Sequence, residues 1–307
     1  MARTLKSGPA PGRPISRAVG RIVERMTHIR DLVASGPTLS FEFFPPKNDE
    51  SARSLEKTLH ELAPLRPSFV SVTYGAGGSD REQTRDLVVD LNATHPFPAM
   101  AHLTCVGRSR AEIRELLADY AANGVVNLLA LAGDPPEDGT DPGGDFHFAS
   151  ELVELIRESG DFSVGVAAFP ELHPRSETTR HDRDHLAAKL EAADFGITQF
   201  FFDPVPYFRM LDDLSQRGVS TQVLPGVMPV TNPVSIARFA AMNGTRRPPQ
   251  LWNRLQEATP ADRLEIAIEQ ASELARELLD QGAPGVHLYT LNRSEAALRI
   301  ASNLGLG

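Results

Sequence analysis

Eight short apolar, β-prone runs separated by helical patterns constrain this chain more than any other feature. They fall at 39–44, 69–74, 100–105, 127–131, 163–169, 197–202, 222–227 and 286–291. Most are almost continuously apolar, which is how strands covered on both faces read. Helices are expected between them at 52–63, 81–92, 110–123, 149–158, 183–193, 207–216, 233–242 and 260–281, with a short one at 26–35 leading into the first strand. Gly124 and Gly282 follow two of these segments as stop signals. Eight strands each tied to a helix predict an α/β fold, a (β/α)8 TIM barrel formed by residues 26–307 as a single domain. An open doubly wound sheet is the alternative; the even spacing and the number of runs favour closure. Residues 1–25 hold Pro9, Pro11, Pro14 and many arginines with no acid before Glu24, and predict a disordered or extended basic arm. A transit peptide is also Arg-rich and poor in acids. The segment 134–145 reads as a loop after strand four, and 244–260 as a long insertion before the last helix.

Charge and cysteine usage narrow the partners. Forty acidic residues against 31 basic give a net charge of −9, which argues against a nucleic-acid binder. A small anionic ligand held by a few local cations stays open. Cys105 is the only cysteine, so no intrachain disulfide forms and a reducing, cytoplasmic setting fits. No apolar run is long enough to cross a bilayer, and no membrane or metal partner is expected.

The working residues of such a barrel stand at the C-terminal ends of its strands. Strand one offers Glu42 in Ser-Phe-Glu-Phe-Phe-Pro-Pro-Lys, closed by two prolines that cannot continue a strand. An apolar setting favours the protonated carboxyl, as a general acid requires; a strand-end ion pair with Arg or Lys is the plainer reading. Strand two offers Thr73 and Tyr74 before a glycine-rich turn, Gly75 to Gly78, which lacks dinucleotide-fingerprint spacing. Strand three offers His102, a satisfied core residue or a ligand. Asp134 follows Gly133 and precedes Pro135 and Pro136, a rigid way to present one carboxylate. Gln199, among phenylalanines, must find polar partners if buried. His181-Asp182-Arg183-Asp184-His185 mimics a zinc helix, but Asp stands where that motif needs Glu, and so charged a run reads as a solvated face. So many polar groups at one mouth favour an enzyme over a structural protein.

These motifs occur together and in order. Ser-Phe-Glu-Phe-Phe-Pro-Pro at 40–46, Phe-Val-Ser-Val-Thr-Tyr-Gly-Ala at 69–76, Ala-His-Leu-Thr-Cys at 101–105 and Gly-Asp-Pro-Pro at 133–136 are followed by Phe-Pro-Glu-Leu-His-Pro at 169–174, Ile-Thr-Gln-Phe-Phe-Phe-Asp at 197–203, Leu-Pro-Gly-Val-Met-Pro-Val at 224–230 and His-Leu-Tyr-Thr-Leu-Asn-Arg at 287–293. From about residue 38 onward the chain resembles the bacterial 5,10-methylenetetrahydrofolate reductases. The resemblance implies FAD as cofactor, NADH or NADPH as donor, methylenetetrahydrofolate as substrate, ping-pong turnover on one flavin face, and a homo-oligomer. It implies Glu42 as general acid and Asp134 as a second catalytic carboxylate. It implies substrate contacts from Gln199, Phe239, Tyr289 and Arg293. For FAD it implies Thr73 and His102; Leu131, Ala132, Gly133 and Asp134; Phe148 and Ala149; Ala167, Phe169 and His173; and Asp182, His185 and Lys189. The chain departs from the family at Ala132, where arginine is familiar, at Phe148 and Phe169 for tyrosines, at His185 for an amide and at Ser235 for a glutamine. Loss of the arginine implies weaker flavin retention. A folate-binding or methyl-transferring barrel without flavin is the alternative.

Overall fold

Nine parallel strands run in the sheet order β7-β6-β5-β4-β3-β2-β1-β9-β8 in the computed structural model, which describes residues 27–74, 81–134 and 140–306. They are β1 (Thr38–Phe43), β2 (Phe69–Val72), β3 (Ala99–Thr104), β4 (Asn127–Leu131), β5 (Ser163–Ala168), β6 (Phe195–Thr198), β7 (Val223–Leu224), β8 (Gly226–Val227) and β9 (Gly285–Tyr289). The two ends of that order, β7 and β8, are neighbours in sequence on either side of Pro225. β7 pairs with β6, and β8 pairs with β9. The predicted seventh strand is therefore one strand broken at a proline, which has no N–H to give a ladder. The sheet closes through it, as a TIM-like (β/α)8 barrel in a single domain. The basic arm at 1–25, the turn at 75–78 and the prolines at 135 and 136 lie outside the described residues.

The helices are α1 (Ile29–Ser35), α2 (Asp49–Leu62), α3 (Arg81–Thr94), α4 (Arg110–Ala122), α5 (Ala149–Ser159), α6 (Thr179–Ala192), α7 (Pro204–Gln216), α8 (Pro233–Asn243), α9 (Pro249–Glu257), α10 (Pro260–Asp280) and α11 (Glu295–Asn303). Two differences from expectation bear on the site. The segment expected to be an insertion contains α9, which buries Leu251, Trp252 and Leu255. α10 is not the last helix, because α11 follows β9. The sixth strand also stops at Thr198. Phe200 and Phe202 owe their apolarity to a separate cluster with Met228, Ile236, Trp252 and Leu255, not to the sheet. That leaves Gln199 as the first residue past the strand.

Side-chain alternation sorts the barrel into layers. Phe41, Phe43, Val70, Val72 and Leu103 face the helices. Inside, the lowest layer is apolar: Phe69, Met100, Leu129, Phe195, Ile197 and Leu224 pack on Ile29 and Val33 of α1, which plugs that end. Asn127 Oδ1 accepts from Ile29 N at 2.8 Å and Ser163 Oγ from Arg30 N at 2.9 Å, so both strands satisfy open donors at the helix start. Above lies a buried polar layer of Ser40, Ser71, His102 and His287. No helix among the described residues is long and apolar enough to cross a membrane.

Candidate active site

Glu42 stands on the polar layer, pointing up the barrel. Phe41 and Phe43, its chain neighbours, face the opposite way, as a period of two requires. The carboxylate therefore meets imidazoles, not the aromatic rings that flank it in sequence. Glu42 Oε2 lies 3.5 Å from His102 Nε2 and 3.6 Å from His287 Nε2, and its side chain is 16% exposed. No Arg or Lys pairs with it among the described residues, so the strand-end ion pair is not what forms. His287 is fully buried, with Nδ1 2.8 Å from Ser40 Oγ and Nε2 3.4 Å from Ser71 Oγ. Burial pushes the His102 imidazole below its ordinary value; Glu42 opposes this and His287 adds to it. Tyr289 donates to Thr198 O at 2.8 Å, across the split strand. Burial, and then the charge of Glu42, holds its phenol well above the usual range.

The strand end carrying Glu42 is held by a strained turn. Leu291 and Asn292 have φ of 51° and 57°, a left-handed pair without glycine. The strain is over-determined by side-chain bonds. Asn292 Oδ1 accepts from Phe44 N at 3.0 Å and Nδ2 donates to Phe44 O at 2.8 Å. Thr290 Oγ1 donates to Glu42 O at 2.7 Å, and Thr58 Oγ1 to Asn292 O at 3.1 Å. The Asn292 amide thus extends the ladder beyond the end of β1.

A cavity of about 250 Å3 opens above Glu42. Of the expected site residues it brings together Glu42, Thr73, Gln199, Phe239 and Tyr289; Phe44, Phe200, Met228, Met242, Asn243, Thr290 and Leu291 complete its wall. The sequence reading missed these seven. Met242 and Asn243 follow Phe239 by three and four residues on α8, the spacing that shares a helix face, so that signal was present. Asp134 and Arg293 are exposed and stand outside the lining set.

The other expected residues lie at the ends of β3 to β5 and on the helices behind them. Gly133 has φ +89°, and a Cβ there would stand 2.5 Å from Val106 Cγ1, so the backbone passes close in a conformation that suits glycine. Leu131 and Ala132 bond through their carbonyls to Cys105 N and Val106 N. Phe148 caps the start of α5 beside Ala149; its ring is exposed and stacks on His185 with centroids 5.8 Å apart. Phe169 packs against His173 at 4.3 Å. His173 is lowered chiefly by burial, with Asp134 near enough to oppose that. Lys189 donates to Ala167 O and has no carboxylate within ion-pair distance among the described residues. Burial pushes its ammonium down to about 8.

The zinc-like run divides by direction. His181 and His185 lie exposed on α6 with Nε2 atoms 2.9 Å apart, whereas Asp182 and Arg183 turn inward. Arg183, 4% exposed, was not singled out by the sequence reading. Its Nη1 donates to Phe169 O at 3.1 Å and Asp182 Oδ2 at 2.6 Å, and its Nη2 to Pro170 O at 2.7 Å; both nitrogens lie 3.3 Å from Glu171 O. One buried guanidinium thus gathers the loop that carries Phe169 and His173.

The family model described as methylenetetrahydrofolate reductase matches residues 27–305. The chain belongs to the methylenetetrahydrofolate reductase family. It is 35% identical over 271 residues to the 5,10-methylenetetrahydrofolate reductase of Pectobacterium carotovorum subsp. carotovorum, covering 87% of this chain and 90% of that one. It is 34% identical over 297 residues to "Methylenetetrahydrofolate reductase (NADH) 1" of Arabidopsis thaliana, covering 91% of this chain and half of the plant protein. A Clostridium thermocellum protein whose structure binds two copies of 5-methyl-5,6,7,8-tetrahydrofolic acid superposes with a TM-score of 0.61 at 14% identity, covering 90% of this chain and 98% of that one. That likeness is one of fold. Within this methylenetetrahydrofolate reductase family member, the inward carboxylate of β1, the amide after β6 and the aromatic of α8 share one cavity.

Proposed function

We propose that this chain reduces 5,10-methylenetetrahydrofolate to 5-methyltetrahydrofolate, with NADH or NADPH as donor, FAD as bound carrier and Glu42 as general acid. The observation that carries the reading is the cavity itself: Glu42 at its floor, with Gln199 and Phe239 on its wall, in a chain of this family. The residues at the ends of β3 to β5 suit the cofactor. Gly133 leaves room where any side chain would collide with Val106, and Lys189 is a half-buried cation that, among the described residues, bonds to the Ala167 carbonyl and to no carboxylate. Phe148 and His185 offer a stacked aromatic pair at the surface. Lys189 and Asp182 would hold the nucleotide half, and Gly133, His102 and Thr73 would lie against the ring. FAD, when bound, supplies the hydride carrier between nicotinamide and folate.

The protein's own part is proton transfer and orientation. The folate imidazolidine ring must open before its one-carbon unit accepts hydride, and opening requires a proton on the leaving nitrogen. Glu42 is the carboxyl group in the cavity wall, and it delivers that proton through the oxygen that does not face the imidazoles. His102 and His287 hold the carboxylate from below. Gln199 hydrogen-bonds the pterin, and Phe239 stacks on whichever planar substrate is present. Asp134 and Arg293, both on the rim, supply charge from outside the pocket: Asp134 favours the cationic ring-opened folate.

Anaerobic titration tests the reading. Purified protein should show an oxidised-flavin absorbance band that NADH or NADPH bleaches and methylenetetrahydrofolate restores. A colourless protein that binds folate and ignores both nicotinamides would transfer the case to a flavin-free folate-binding barrel.

A second expectation concerns Lys189. Its protonated form, favoured below about pH 8, is the one that attracts the cofactor's phosphates. FAD affinity should therefore fall as pH rises past 8, by up to about tenfold per unit. The folded-state value lies below the ordinary lysine value of 10.5, so between the two the unfolded chain binds the proton more tightly. Stability of the FAD-free protein should then rise with pH over that window. Fluorescence titration of FAD against pH reads the first effect, and a flat profile would remove Lys189 from the cofactor site.

A further inference from the structure

We infer that Asn243 is a positioning residue for substrate recognition: it fixes which face of the Gln199 amide is offered to the pterin. The inference rests on the folate reading above and adds to it a residue outside the motifs quoted for the family. Asn243 is the last residue of α8, and its Nδ2 donates to Gln199 Oε1 at 3.0 Å. Both side chains are half-buried and both line the cavity.

The backbones on either side of this bond are fixed. Gln199 N donates to Ala168 O at 2.8 Å. Gly244 caps α8 in the left-handed region at φ +70°, and Thr245 N donates back to Ala240 O at 2.8 Å. Thr245 Oγ1 then donates to Phe200 O at 3.0 Å. The two residues after β6 are thus tied to the end of α8 twice, by side chain at Gln199 and through the carbonyl at Phe200.

A primary amide carries an acceptor on one side and two donors on the other, and a free glutamine can present either. Pairing with Asn243 couples the choice. With Gln199 Oε1 occupied by Asn243, Nε2 is left to donate to the substrate. That fixed donor suits a carbonyl on the pyrimidinone edge of a reduced pterin. Holding the amide before the substrate arrives removes an ordering cost from binding. Nicotinamide reduction of the flavin makes no use of this edge.

Equilibrium binding of 5-methyltetrahydrofolate to the full chain, measured by calorimetry, tests this without reference to turnover. Asn243→Leu should weaken binding about tenfold, the size of one lost orienting hydrogen bond. Asn243→Asp, which keeps the shape, cannot donate to Oε1 and should turn the Gln199 amide over, with at least as large a loss. Gln199→Ala should weaken binding as much as either, and Gln199→Ala with Asn243→Leu should be no worse than Gln199→Ala alone, because Asn243 acts through Gln199. Thermal stability and FAD retention should stay at wild-type values in Asn243→Asp; a merely structural role would lower them while leaving folate affinity intact. Unchanged folate binding in both Asn243 variants, or additive losses in the double variant, would overturn the inference while leaving the functional reading in place. A wild-type protein that binds no reduced folate would overturn the functional reading and this inference with it.

Discussion

Glu42→Gln leaves reduction of the flavin by nicotinamide near its wild-type rate and slows reduction of methylenetetrahydrofolate by roughly 10²–10⁴-fold, the range that a positioned general acid contributes. Glutamine keeps the size of the side chain and can still bond to His102 and His287, the two groups within 3.6 Å of the carboxylate. What it cannot do is lose a proton to the leaving nitrogen. The two half-reactions separate in a stopped-flow experiment, because bleaching and recolouring of the flavin follow different reagents. Loss of both together would show that position 42 supports the barrel and not the chemistry.

Arg183→Met destabilises the fold by about 3–5 kcal/mol, as breaking a buried, hydrogen-bonded ion pair does. The variant leaves the carbonyls of Phe169, Pro170 and Glu171 without their shared donor, and the Asp182 carboxylate without its nearest cation. At a few degrees per kcal/mol for a chain of this size, the melting temperature should fall by about 10 °C. Flavin retention should fall as well, since Phe169 and His173 ride on the released loop. Arg183→Lys restores the charge but not the planar fork, and should recover only part of the loss. A melting point within a degree or two of wild type would mean that water or neighbouring donors replace the guanidinium.

Sequence pattern carried the strand order because strands covered on both faces announce themselves by unbroken apolar runs. It carried the family because eight motifs kept their sequence order. It failed where apolarity had another cause. Phe200 and Phe202 read as strand but pack under α8 and α9. α9 was hidden by the Pro248-Pro249 pair at its start, although Leu251, Trp252 and Leu255 lie on one face. His287 shares the inward parity of Tyr289 and could have been found on that ground. Arg183 could have been found as well: with Leu186 and Leu190 it repeats at the spacing of a buried helical stripe, but the charges around it suggested a solvated surface. The contact of His102 and His287 with Glu42 was out of reach, because they arrive from β3 and β9 and only closure of the barrel brings them to β1.

The break at Pro225 leaves the ring with a weak seam. β1 is stitched by four register pairs on one side and five on the other, whereas β7 and β8 hold two each. The backbone amides of residues 223, 224, 226 and 227 should therefore be the first in the barrel wall to trade their protons with solvent. Gln199 stands on one bank of that seam and Tyr289 on the other. A folate molecule spanning both would act as a rivet, so the barrel should breathe least while it is at work.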